Sequence, residues 1–159
     1  MVDDKETILG LLGPEPLDPL FSPDDLHKKL QKSRSRIKPL LMNQRFIAGM
    51  GNIYADEALF LAGINPLTPA STLSHEQAIR LLDAIRRVLT DGILSNGASI
   101  DWVYRGGDFQ NRFHVYQRTG KPCDQCGTPI ERRIIGQRSS HYCPKCQPLD
   151  VVADHDPDN

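Results

Sequence analysis

The sequence predicts a mainly α fold that closes with a small β-hairpin, and three observations carry that reading. Apolar residues recur at helical spacing between Leu26 and Leu89, punctuated by start and stop signals. All 4 cysteines fall into two tight pairs, Cys123-Asp-Gln-Cys126 and Cys143-Pro-Lys-Cys146. Between the pairs, residues 130–135 and 139–142 read as two short strands around Gly136-Gln137.

Each element has a local cause. Residues 1–20 hold Gly10, Gly13, Pro14, Pro16 and Pro19, too many breakers for a helix interior, and read as a linker ending in a turn. Ser22-Pro23-Asp24-Asp25 then supplies a cap, a proline where the amide would be unpaired anyway, and two acids at the positive end of a helix on which Leu26 and Leu30 share a face. A second helix is expected over 37–47, with Ile37, Leu40 and Leu41 apolar and a stop near Gly49. Met50-Gly51-Asn52 is the joint to a third, over 53–62, which Gly63 and Asn65-Pro66 end.

The fourth helix is the clearest. Ser74 and Gln77 form a capping box, and Ala78, Leu81, Leu82, Ile85, Val88 and Leu89 make one core-facing stripe that runs to Gly92. Periodicity is lost over 97–112, where Trp102, Tyr104, Gly106-Gly107 and Phe109 fall, as in a long loop of functional or disordered kind. Residues 113–117 alternate like a short strand, and 148–159 read as a disordered acidic tail.

Two Cys-x-x-Cys knuckles separated by 16 residues match the spacing of one tetrahedral zinc ion held by Cys123, Cys126, Cys143 and Cys146. Two disulfides would need an oxidising compartment, and the chain shows no apolar leader. Four thiolates leave no coordination position for water or substrate, so the metal is expected to be structural. So short a hairpin cannot bury its own core, and metal binding would contribute on the order of 10 kcal/mol to its folding.

Net charge is −1, but its distribution matters more than the sum: residues 21–146 carry 18 Lys and Arg against 11 Asp and Glu. A basic body between acidic ends suits a nucleic-acid binder, or simply a lysine-rich solvated surface. No stretch is apolar enough to span a membrane. Nucleotide-binding glycine fingerprints and a nucleophile with an evident base are lacking too.

Two turns have phosphate-binding character. At Gly49-Met50-Gly51-Asn52-Ile53, glycines allow close backbone approach just where a helix begins, so unpaired amides and the positive dipole end face outward and Asn52 adds a side-chain donor. The plainer alternative is that Asn52 only caps the helix. Arg138 lies beside Gly136 at the hairpin tip, near Arg132, Arg133, Ser139, Ser140 and His141, where a rigid guanidinium can fork onto phosphate oxygens or probe a minor groove. Its alternative is an ordinary exposed charge. His75 and His141 are not needed by a four-thiolate site. Asp56 and Glu57 are neighbours on a helix and face different sides, which argues against an acid/base pair.

Taken together, Leu12-Gly13-Pro14-Glu15-Pro16-Leu17, Gly51-Asn52-Ile53-Tyr54-Ala55-Asp56-Glu57, Cys123-x-x-Cys126-Gly127-Thr128-Pro129-Ile130 and Arg138-x-x-x-x-Cys143-Pro144-x-Cys146-Gln147 resemble bacterial formamidopyrimidine-DNA glycosylase. The resemblance covers about residues 10–147, and the motifs occur in the family's order. The resemblance implies a helix-two-turns-helix bundle over 21–117, with a lesion-capping-type loop at 97–112, followed by a β-hairpin zinc finger over 118–147. Residues 1–20 would be the linker from an N-terminal β-sandwich domain.

The family flips oxidised purines such as 8-oxoguanine and formamidopyrimidines out of duplex DNA, cuts the glycosidic bond and nicks the strand. By resemblance, Gly51, Asn52, Ile53 and Arg138 bind backbone phosphates, while Ser99, Asp101, Trp102, Val103 and Tyr104 belong to the loop that meets the flipped base. The family's nucleophile is an N-terminal proline, and this chain begins Met1-Val2-Asp3-Asp4. The resemblance therefore implies the DNA-binding half of the enzyme, with no catalytic residue of its own and inactive alone. Implied partners are damaged double-stranded DNA and a separate catalytic domain, with one structural zinc, a monomeric state and a bacterial, nucleoid-associated cytoplasmic location. Two alternatives are an endonuclease VIII-type relative acting on oxidised pyrimidines and a zinc-stapled protein-interaction module. The runs 53–57 and 127–130 favour the formamidopyrimidine branch.

Overall fold

Helix α1, Pro23–Gln31, begins at a reciprocal cap: the Ser22 hydroxyl accepts from Asp25 N at 3.1 Å and the Asp25 carboxylate accepts from Ser22 N at 3.0 Å. This computed structural model describes residues 12–94 and 113–149. Within them follow α2 (Ile37–Leu41), α3 (Asn52–Ala62), a 3₁₀ turn (Ala70–Thr72), α4 (His75–Leu94) and the strands β1 (Glu131–Ile135) and β2 (Arg138–Tyr142). The loop candidates Ser99, Asp101, Trp102, Val103 and Tyr104 lie outside the described residues.

The second helix is far shorter than the expected 37–47. It stops at Leu41 because the next side chains capture the backbone: Asn43 Oδ1 accepts from Arg45 N at 2.9 Å and Gln44 Oε1 from Gly49 N at 2.9 Å, while Gln44 Nε2 donates to Met50 O at 3.1 Å. Phe46 and Ile47 are still buried, but from turns. The apolar spacing had reported burial rather than helix.

Helix α3 is buried on nearly every side, with Ala55, Asp56, Glu57, Ala58, Leu59, Phe60 and Ala62 all inside. Gly63, at φ +72°, ends it, and the amides of Gly63 and Ile64 return to Phe60 O and Leu59 O. Helix α4 starts at the expected box, Ser74 N donating to Gln77 Oε1 at 2.9 Å and Gln77 N to Ser74 Oγ at 3.1 Å. It packs along α3 and α1, burying the predicted stripe.

The stretch before α1 is docked on the bundle. Arg86 of α4 donates to the carbonyls of Pro16, Asp18 and Phe21, and Gly13 passes so close to the chain at Phe46 that a Cβ there would meet its carbonyl carbon at 2.5 Å.

Strands β1 and β2 pair antiparallel from Glu131↔Tyr142 to Ile135↔Arg138. Gly136 and Gln137, at φ +58° and +69°, make the mirror-image two-residue turn that suits the twist of a hairpin. Arg138 is thus the first residue of β2 and closes the turn rather than sitting at its tip. Residues 113–117 are not a strand; they curl into turns, Gln117 at φ +59°, with their amides aimed at a carboxylate of α3 instead of a neighbouring strand. Among the described residues two clusters make the core. One lies among the helices, and the other gathers Val115, Cys123, Ile130 and Cys143 around Phe60, which α3 sends across to the metal side.

Candidate metal centre and phosphate-facing surface

The first knuckle is closed by Cys123 N donating to Thr128 O at 2.8 Å and Gly127 N to Cys123 O at 2.9 Å, with Gly127 at φ +79°. In the second, Cys146 N points at Cys143 Sγ at 3.3 Å, as Gln125 N does at Cys123 Sγ at 3.4 Å. All four sulfurs lie within 4.8 Å of one another, with Cys126–Cys143 at 3.5 Å and Cys123–Cys146 at 3.8 Å. Zinc–thiolate bonds of about 2.3 Å in a tetrahedron need sulfurs about 3.8 Å apart, so the set fits one structural zinc.

The thiols are unequal. Thr128, through its hydroxyl and amide, holds Cys126 down to about 6, whereas burial pushes Cys143 and Cys146 up. A divalent cation would displace the protons from that second pair. The knuckle is held to the bundle by Gln147, which is fully buried: its Oε1 accepts from Cys143 N at 2.8 Å, its Nε2 donates to Ile64 O at 2.9 Å, and its carbonyl accepts from Asn65 Nδ2 at 2.8 Å.

The first turn of α3 is open. Its cap residue is Gly51, extended and exposed, and no side chain caps the helix. Asn52 is therefore inside the helix rather than its N-cap, and its Oδ1 is buried without a hydrogen-bond partner among the described residues. Ile53 is partly buried in the same turn. Such a helix start offers amides and a partial positive charge to an anion. Arg138 is exposed on β2, and Arg132 and Arg133 are exposed on β1.

Asp56 and Glu57 point in different directions, as neighbours on a helix must. Asp56 takes Lys38 Nζ on Oδ1 and, on Oδ2, both His141 N at 3.1 Å and His141 Nδ1 at 2.9 Å. Glu57 accepts three amides, from His114 at 2.7 Å, Val115 at 2.9 Å and Tyr116 at 3.1 Å. Burial raises the Glu57 carboxyl above its usual range, and those amides pull it part of the way back. His75 sits elsewhere, joined to Asp24 at the start of α1.

Sequence reasoning gave Lys38 no role, read Asn65 only as a helix stop and quoted Gln147 only within a motif. Only Lys38 left a signal: a lone cation within Ile37–Leu41, an otherwise apolar run, needs a buried partner.

A buried central helix with an open first turn, braced against a tetrathiolate hairpin, is the architecture of a helix-two-turns-helix domain carrying a zinc finger. The family pattern described as "Formamidopyrimidine-DNA glycosylase H2TH domain" matches residues 12–103, and "Zinc finger found in FPG and IleRS" matches 120–149. The chain belongs to the formamidopyrimidine-DNA glycosylase family.

Among relatives, the formamidopyrimidine-DNA glycosylase of Solibacter usitatus is 54% identical over 140 residues, covering 86% of this chain and 52% of the relative. That of Chloroflexus aggregans is 51% identical over 141 residues, covering 86% and 51%. Among solved structures, MutM (Fpg) from Thermus thermophilus superposes with a TM-score of 0.81 at 41% identity, covering 94% of this chain and 59% of that one. Lactococcus lactis Fpg in complex with DNA containing an abasic site gives 0.80 at 36% identity, covering 91% and 54%. The chain spans about half the length of the curated relatives it matches.

Proposed function

We propose that this chain is the DNA-binding half of a base-excision-repair glycosylase acting on oxidised purines. The observation that carries the proposal is the pairing of an uncapped, glycine-led helix start with an exposed arginine on a metal-clamped hairpin, in a fold whose Lactococcus lactis counterpart is bound to abasic-site DNA. Gly51, Asn52 and Ile53 receive one phosphate through amides and the Asn52 side chain, and Arg138 forks onto another. In this reading residues 97–112 supply the loop that caps the extruded base, and 1–20 are the linker from a β-sandwich half that supplies the reacting amine. The oxidised-purine assignment follows the relatives' name, formamidopyrimidine-DNA glycosylase, and the 8-oxo-G- and Fapy-dG-containing DNA bound in solved structures of the same fold, and a nucleoid-associated setting follows from the substrate. Among the described residues no helix is long and apolar enough to cross a membrane.

Fluorescence anisotropy with a duplex carrying an abasic-site analogue tests the proposal. Arg138→Ala and Asn52→Ala should each weaken binding by roughly tenfold whatever the flanking sequence, since phosphate contacts position without reading bases. Arg138→Ala should also reduce the salt slope by about 1. Binding indifferent to salt, or losses confined to particular sequences, would refute the phosphate grip.

A further inference from the structure

Lys38 is among the largest fully buried side chains of the described residues, at 0% exposure, with Asp56 at 1% beside it. All three of its ammonium protons have acceptors: Asp56 Oδ1 at 2.5 Å, Ser140 Oγ at 2.9 Å and the carbonyl of Ser139 at 3.2 Å. A buried ion pair is seldom the most stable filling for its volume, because an apolar pair of similar size avoids the desolvation of both charges. What it does supply is directed geometry.

The positions that this pair joins are informative. Asp56 lies four residues after Asn52, one turn along the same face of α3. Ser139 is the residue after Arg138, and Arg138 stands close enough for its charge to oppose that of Lys38. A second contact runs alongside: the hairpin turn rests on Pro39, where a Cβ at Gly136 would meet Pro39 Cγ at 3.0 Å. Helix α2 thus touches both the turn of the hairpin and the strand that carries the arginine.

From this geometry we infer that Lys38 is a positioning residue for phosphate binding: through Asp56 and the Ser139 carbonyl it sets the spacing between the first turn of α3 and Arg138, so that both engage one DNA backbone together. The inference rests on the DNA-binding reading. With the clamp lost, the hairpin would still fold around its metal, but Arg138 would meet phosphate only after the hairpin had been reordered against α3.

The test is a double-mutant cycle on the full zinc-loaded chain, with Lys38→Met and Arg138→Ala singly and together, read by anisotropy on the abasic-analogue duplex. Lys38→Met should keep its zinc and helical circular dichroism and bind roughly tenfold more weakly. In that background Arg138→Ala should cost less than about threefold, against roughly tenfold in the wild type. If Arg138→Ala costs as much in the Lys38→Met background as in the wild type, the two sites are independent and the positioning role is overturned. If the wild type shows no dependence on Arg138 at all, the DNA-binding reading falls, and this inference with it.

Should Lys38→Met fail to fold because Asp56 is left unpaired, the cycle is run on Lys38→Met/Asp56→Asn, which leaves neither charge of the pair. A shrunken Arg138 effect there supports the clamp, whereas a full effect, or failure of that variant to fold as well, assigns the pair to stability alone.

Discussion

Glu57 offers the sharpest test of how residues 114–116 are anchored to α3. Its carboxylate is 1% exposed and accepts three consecutive amides, one on Oε1 and two on Oε2. Glu57→Ala strands the buried Val115 amide, a loss of about 1–3 kcal/mol, and leaves the amides of His114 and Tyr116 with only partial access to water. Adding the void left by the side chain, the total comes to about 3–4 kcal/mol. That is a large part of the roughly 5–15 kcal/mol available to a domain of ordinary stability.

Glu57→Gln is no conservative rescue, because its amide nitrogen would present a donor to a donor; it should lose about 2 kcal/mol. Urea unfolding of the zinc-loaded chain measures the loss, and hydrogen exchange localises it to the amides of residues 114–116. A Glu57→Ala chain within about 0.5 kcal/mol of the wild type, with those amides still protected, would contradict the anchoring role.

Two further outcomes follow from the same geometry. Elemental analysis should find one zinc per chain, and chelation should abolish amide protection in the hairpin while the helical signal survives; a metal-free chain with a protected hairpin would refute the four-thiolate site. Tyr142 should ionise late, since burial and then the Glu131 carboxylate that accepts its hydroxyl raise it above the ordinary 10.0. The folded chain then keeps a proton that the unfolded chain releases, so this contribution to stability is whole below pH 10.0 and is lost as pH rises through the folded value. Tyrosinate absorbance should show a late step that Tyr142→Phe removes, and an unchanged titration in that variant would be inconsistent with the assignment.

Features that depend on neighbours in sequence were legible before the fold was known. The knuckles announce their metal because two thiols three residues apart turn onto one ion, and the caps at Ser22 and Ser74 announce their helices because donor and acceptor are also three residues apart. Features that depend on distant partners were hidden. Residues 113–117 look like a strand until Glu57, more than fifty positions earlier, collects their amides, whereas residues 37–47 misled for a local reason: helix-like apolar spacing masked the turns that Asn43 and Gln44 hold two and five positions on. Lys38 finds its acceptors 18, 101 and 102 positions away, which no local pattern encodes. The separate directions of Asp56 and Glu57 were readable, because helical rotation alone sets them apart.

Phe60 has a consequence for protein engineering. Its ring belongs to α3, yet it packs with the metal-side core and stacks on His114, with centroids 5.3 Å apart. A zinc finger excised at residue 118 and grafted onto another scaffold would carry its four thiols and arrive with an open socket where that phenyl ring had been. The smallest unit worth transplanting therefore includes α3, and a recipient that already presents an aromatic side chain at that spot should accept the bare finger more readily than one that does not.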